Sequence, residues 1–147
     1  MEKEQNEYLL PLVGMYFRPP AEGIVKALTS GQRLYLRPEP TNQYDPYAVQ
    51  VLVRSGDVRE EVVRSVLAMH LMGYGKTLEE FDEEREWHLG YIKKEFARDL
   101  QPMLFSEARV EPEAVTSGEV GDETCVDYPC ELAFEGEKGK AMVRVRI

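Results

Sequence analysis

Cysteine, histidine and tryptophan are scarce in this chain: two, two and one in 147 residues. Cys125 and Cys130, spaced C-x4-C, supply at most half of a zinc site and fit no redox motif. They read as reduced thiols on or beside a late strand. No apolar run approaches the roughly 20 residues of a membrane span. The N-terminus, MEKEQNEYLL, is acidic and lacks the apolar stretch of a leader. These features point to a cytoplasmic protein with no membrane partner. Also missing are a Gly-rich phosphate loop, a nucleophile elbow and a histidine constellation. A metal-dependent nuclease would interleave carboxylates with strand ends, whereas the acids here gather in runs such as Glu79-Glu80-Phe81-Asp82-Glu83-Glu84. The expectation is a non-catalytic module with no cofactor, no metal and no catalytic residue.

Positive charge is short as well, with 18 basic against 27 acidic residues and a net charge of -9. Its distribution matters more than its sum. Residues 1–56 carry six of each sign, and residues 87–110 carry four basic and three acidic. The excess lies in residues 57–86 and 111–147, each with four basic against nine acidic. A near-neutral face with Arg18, Arg33, Arg37, Lys93 and Lys94 can still grip a few phosphates, but a long duplex track is excluded. Short, end-type contact is the nucleic-acid mode compatible with this charge.

What is present is concentrated in LYLRPEPTNQYDPYAVQVLV, Leu34 to Val53. Leu34, Leu36, Val49, Val51 and Val53 alternate as in half-buried strands. Pro38, Pro40, Asn42 and Pro46 break the runs between them. Asn42 and Asp45 can fold back onto neighbouring amides, and Pro46 pushes Asp45 towards extended backbone, so the turn is stiff. Tyr16, Phe17, Tyr44 and Tyr91 are candidate faces for stacking bases, a mode tolerant of sequence. Asp45 has two readings: a cap for its own turn, or a carboxylate that accepts a ligand hydroxyl and repels a phosphate. Tyr16 and Phe17 fall in an expected strand, where one of the two must face the core.

The spacing predicts strands near 10–17, 31–37, 47–54, 86–92, 106–113, 129–134 and 140–147, and a helix near 94–104. The length fits a single domain, 8–147, with a helical insertion at 57–86. Within the insertion, Val62, Val63, Val66, Leu67, Met69 and Leu71 recur at helical spacing up to Gly73. Val63, Val66, Leu67 and Leu71 are expected to be buried against the barrel or a partner. Thr77 and Glu80 form a capping-box pattern for a second short helix. Gly14 and Gly90 read as backbone-geometry positions, Trp87 as a residue in the barrel core or over its end, and His70 and His88 as structural. Many short strands with a packed helix give a mainly β fold with α, an antiparallel β-barrel.

Four blocks stand in the order of a known family: Val13-Gly14-Met15-Tyr16-Phe17, Leu34-Tyr35-Leu36-Arg37-Pro38-Glu39-Pro40, Asn42-Gln43-Tyr44-Asp45-Pro46-Tyr47-Ala48-Val49 and Leu89-Gly90-Tyr91-Ile92-Lys93-Lys94-Glu95. On these blocks the chain resembles the HIRAN domain family. The resemblance implies an OB-fold-like barrel and, by analogy with HIRAN domains of Swi/Snf-type DNA translocases that act in DNA repair, capture of the 3′-hydroxyl end of single-stranded DNA. Carried over position by position, it makes Tyr44 the stacking residue, Asp45 the acceptor for the 3′-hydroxyl, Phe17 a second face and Lys94 a phosphate contact. Asn42 braces the loop or touches the backbone. Tyr16 stands where the best-known eukaryotic members have arginine, and Tyr91 where they have histidine. The aromatic that closes their pocket is matched only loosely by Val126 or Tyr128. The competing expectation is a protein-interaction module using the acidic helical insertion, with DNA binding lost.

Overall fold

Alternating burial along the apolar runs closes them into a barrel. The computed structural model describes residues 5–109 and 126–147. Six strands, β1 (Glu7–Val13), β2 (Arg33–Pro38), β3 (Val49–Arg54), β4 (Glu86–Ile92), β5 (Tyr128–Glu135) and β6 (Lys140–Arg146), close in the order β1-β4-β3-β2-β5-β6. Every neighbouring pair is antiparallel. Leu34, Leu36, Val49, Val51, Val53, Leu89, Leu132, Val143 and Val145 are buried inside, as period-2 side chains on an inner wall must be. Where β1 meets β4, the backbones come very close. A Cβ added at Gly90 would lie 2.3 Å from the Val13 carbonyl oxygen, so this position admits only glycine without movement.

Among the described residues, four α-helices dress the barrel. α1 (Ala21–Ala27) was absent from the sequence expectations; it buries Ile24 and Val25 and carries a Glu22–Lys26 ion pair at 3.3 Å. α2 (Glu61–Met72) packs on α1 through Val63, Leu67 and Leu71. Val66, expected against the barrel or a partner, is 37% exposed on the flank of that buried stripe, one turn from Val63. α3 (Leu78–Glu84) begins with a complete capping box: the Thr77 hydroxyl accepts from the Glu80 amide, and the Glu80 carboxylate accepts from the Thr77 amide, both at 3.2 Å. Its Phe81 is fully buried and stacks on Trp87, whose indole N–H donates to the Phe81 carbonyl at 3.0 Å. Trp87 therefore fastens α3 to β4 and packs, part-buried, against the core. The buried residues of α1, α2, α3 and the barrel form one continuous apolar cluster.

α4 (Lys94–Ala108) overrides the strand expected near 106–113 as far as Ala108; residues 110–113 lie outside the described part. Ala97, Leu100, Gln101, Leu104 and Phe105 are its buried face, a helical i, i+3, i+4 pattern that continues past Pro102. Phe105 meets Val126 in a small separate apolar contact. Cys130 is buried, which pushes its thiol pKa up and keeps it neutral. Cys125 lies outside the described residues. Among the described residues no helix is long and apolar enough to cross a membrane, and no cluster of His, Cys, Asp or Glu could hold a metal ion.

Candidate nucleic-acid interface

The loop between β2 and β3 is held at almost every amide. Asn42 Oδ1 accepts from the amides of Tyr44 (2.8 Å) and Asp45 (3.0 Å), and Asp45 Oδ1 accepts from the Tyr47 amide at 2.9 Å. Backbone bonds Asn42 N to Glu39 O, Ala48 N to Asp45 O and Glu39 N to Ala48 O close the base of the loop. From α4, the buried Gln101 side chain donates to the Ala48 carbonyl at 3.1 Å, and the Arg98 guanidinium lies 5.9 Å from the centre of the Tyr47 ring. The loop is rigid and tied to α4. Such a loop carries Tyr44, 93% exposed, into solvent. Order is imposed on the backbone and not on the ring, which is the arrangement a stacking platform needs.

Beside that ring lies an open concavity of about 460 Å³. Asn42, Tyr44 and Asp45 form one side, Tyr91 of β4 and Lys94 of α4 another, Arg18 a third, with Val13, Ala48 and Ile92 as apolar floor. Five of the seven residues singled out in the sequence thus meet in one place. Asp45 Oδ1 caps the turn, the first of its two readings, and Oδ2 has no partner among the described residues. Lys94 is the first residue of α4, exposed and free of ion pairs among the described residues, and the opening turn of a helix presents unpaired amides and partial positive charge. Lys93 is drawn aside to Glu95 at 3.6 Å.

Tyr16 and Phe17 depart from expectation in their local structure. The strand ends at Val13, because Gly14 turns at φ 84°, and Met15–Phe17 form a single 3-10 turn. Both rings are exposed, edge to face at 5.5 Å, so neither faces the core. They lie outside the concavity, on the turn whose flanking residues Val13 and Arg18 line it.

Arg18, named in the sequence among the cations able to grip phosphates, lines the concavity beside Tyr91. Its guanidinium sits 5.3 Å from the Tyr91 ring centre, and its Nη2 donates to the Tyr91 hydroxyl at 3.3 Å. One face of Tyr91 is thereby covered, and the His88 ring stands edge-on at 4.8 Å. Tyr91 is a platform for a cation here, not an open stacking face. Burial foremost, then a hydrogen bond with Glu39, holds its hydroxyl pKa above the ordinary value, and Arg18 opposes them. His88 is pushed down to about 4 by burial, with Arg18 and Arg37 adding to the effect against its bond to the Gly90 carbonyl at 2.8 Å. A neutral ring facing Arg18 adds no competing charge. The available signal for Arg18 was its position: a cation directly after the aromatic pair and before Pro19-Pro20.

Arg37, read as a candidate phosphate contact, is corrected. It is buried, bonded to Asp127 at 2.7 and 2.8 Å and to Glu86 at 2.8 and 3.2 Å, while Arg54 also reaches Asp127 at 2.7 Å. Those carboxylates raise its pKa further above an already high value, against the opposing effect of burial, and its donors are spent inside the fold. Val126 and Tyr128 do not close the concavity: the first is buried, and the second donates its hydroxyl to the Arg146 carbonyl at 2.9 Å.

An antiparallel barrel with an exposed ring, a half-free carboxylate and two cations around one mouth defines a small binding module of OB-like architecture. Within that class the chain belongs to the HIRAN domain family, whose model matches residues 6–137 of the 147. HIRAN domains are binding domains, not catalytic on their own, and the family is generally associated with DNA binding. The chain matches no curated protein and no solved structure.

Proposed function

We propose that this domain captures the 3′-hydroxyl end of single-stranded DNA in the concavity between the Asn42–Ala48 loop, Tyr91 and Lys94. One observation carries the reading: a fully open aromatic ring, Tyr44, and a carboxylate oxygen without a partner, Asp45 Oδ2, stand side by side on a loop that cannot yield. In this reading the terminal base stacks on Tyr44, and the terminal hydroxyl donates to Asp45 Oδ2. Lys94, the first amides of α4 and Arg18 receive the phosphates that lead away from the end. Arg18 thereby supplies the cation that Tyr16 does not. Phe17 and Tyr16 offer further stacking surface along the exit, and Asn42 acts through the loop it braces.

A carboxylate within reach of a strand favours a hydroxyl over a phosphate, so the site selects an end over an internal position. The experiment is a competition between a linear single strand with a free 3′-hydroxyl and the same sequence closed into a circle. The linear strand should displace a labelled probe at least tenfold more effectively, the equivalent of one hydrogen bond to a charged group. Equal competition by the circle would refute end capture while leaving general strand binding in place.

A further inference from the structure

β1 is paired along one edge only for most of its length. At its start, Asn6 and Ile147 exchange both main-chain hydrogen bonds, at 3.0 and 2.9 Å. Such pairs alternate in an antiparallel ladder, so Tyr8 with Val145 and Leu10 with Val143 bond in the same way, and Glu7 and Leu9 turn their N–H and C=O groups away from β6. On that other side β4 pairs with β1 only at Leu12 and Val13, where the Lys93 amide also donates to the Pro11 carbonyl at 3.1 Å. Among the described residues, Glu7 and Leu9 have no strand partner there. The barrel closes where β1 ends, and before that point the seam is open.

Native sheet edges are blunted by charge, by proline or by a covering element. Pro11 does this next to the closure, whereas Leu9 is an exposed apolar residue in the middle of the open stretch. Beside this edge, Tyr8 and Leu10 form a groove of about 130 Å³ with Phe96, Asp99, Leu100 and Met103 of α4. That is well below the roughly 300 Å³ of a small-molecule site and suits a single side chain.

The open main-chain groups select the occupant. Donors and acceptors in this alternation are met by an extended polypeptide, which continues the ladder of β6 and β1 by one strand. Period 2 then sets every second side chain of the added strand on the face of Tyr8 and Leu10, over the groove. The groove takes an apolar side chain, and the exposed Asp99 in its lining favours a neighbouring lysine or arginine over an acid. A second copy would bring a net charge of -9 against its like.

We infer that the open edge of β1 and the groove beside α4 bind an extended segment of a partner protein, apolar at alternate positions and carrying lysine or arginine. The surface shares no residue with the concavity, so strand binding and partner docking are separable.

The test uses the whole chain and labelled eight-residue peptides with three threonine–valine pairs between two lysines. With valine over the groove, the threonine amides face Glu7 and Leu9 and the valine amides face solvent. N-methylation of the threonine amides should therefore weaken binding at least tenfold, the equivalent of one lost hydrogen bond or more, and N-methylation of the valine amides should not. Glutamate in place of lysine should weaken it as well, and Asp99→Lys should reverse that preference. Leu9→Pro, in phase with Pro11, removes an edge donor and should weaken the parent peptide about tenfold, with circular dichroism and single-strand affinity unaltered. Should that variant fail to fold, the two methylated peptides decide. Equal binding of the two methylated peptides, a charge preference indifferent to Asp99→Lys, or no binding of the parent peptide would overturn the inference. Concentration-dependent dimerisation abolished by Leu9→Pro would overturn it in favour of a second copy.

Discussion

Replacing Arg37 with leucine separates a structural arginine from a phosphate contact. Its guanidinium makes four charge-assisted hydrogen bonds, two each to Asp127 and Glu86, and its side chain is 9% exposed. The substitution leaves both carboxylates largely enclosed without their main partner. Breaking a buried pair from one side costs about 3–5 kcal/mol. Arg54 still holds Asp127 at 2.7 Å, and Glu86 and Asp127 keep 19% and 16% exposure, so the low end applies. For a chain of this length, about 3 kcal/mol lowers the melting temperature by roughly 10 °C. Thermal denaturation followed by circular dichroism measures the loss. Adding Glu86→Gln to Arg37→Leu should recover part of it, because the carboxylate deprived of Arg37 is then neutral. Single-strand affinity, measured well below the lowered melting temperature, should stay within twofold of the unaltered protein. An Arg37→Leu protein that melts normally but has lost strand binding would refute the structural assignment.

Tyr44→Ala should weaken single-strand binding by about 1–3 kcal/mol, the range for one base–aromatic contact, while shifting stability by less than about 0.5 kcal/mol, since the ring is exposed; titration and a melting curve on one preparation check both. Gly90→Ala should destabilise by about 1–3 kcal/mol or prevent folding, because the new Cβ meets the Val13 carbonyl at 2.3 Å. His88 titrates at about 4 in the fold against an ordinary 6.5. Its depressed pKa means that the stabilisation from keeping the ring neutral is complete above pH 6.5 and is lost as pH falls towards 4. The amount is up to about 3 kcal/mol. His88→Gln should therefore flatten the fall in melting temperature between pH 6.5 and 4, and an unchanged slope would contradict it.

The barrel was legible because Leu34, Leu36, Val49, Val51 and Val53 alternate, and every one of them is buried. The stiffness of the Asn42–Asp45 turn was legible too, since Asx side chains bond amides two or three residues on. α1 was not: seven residues containing a glycine and β-branched Ile24 and Val25 have little intrinsic helicity, and their burial against α2 supplies what propensity does not. The helix expected near 94–104 runs on to Ala108, because its buried face continues past Pro102 through Leu104 and Phe105. Arg37 was misjudged, and the placement of Arg18 on Tyr91 was not foreseen, for one reason. Their partners, Tyr91, Glu86 and Asp127, lie 73, 49 and 90 residues away in the chain. Local spacing carries no trace of such pairings. The capping reading of Asp45 was legible because its partner, the Tyr47 amide, is local.

End recognition rests on Asp45, and a four-way binding comparison tests it most directly: the unaltered protein and Asp45→Ala, each with a single strand ending in 3′-hydroxyl and with the same strand ending in 3′-phosphate. The phosphate removes the donor and adds repulsion, so the unaltered protein should prefer the hydroxyl end by about 1.5–3 kcal/mol, tenfold or more. Asp45→Ala should lose that amount on the hydroxyl strand and bind the two strands nearly alike. Equal affinity of the unaltered protein for both strands, or discrimination that survives Asp45→Ala, would contradict the account.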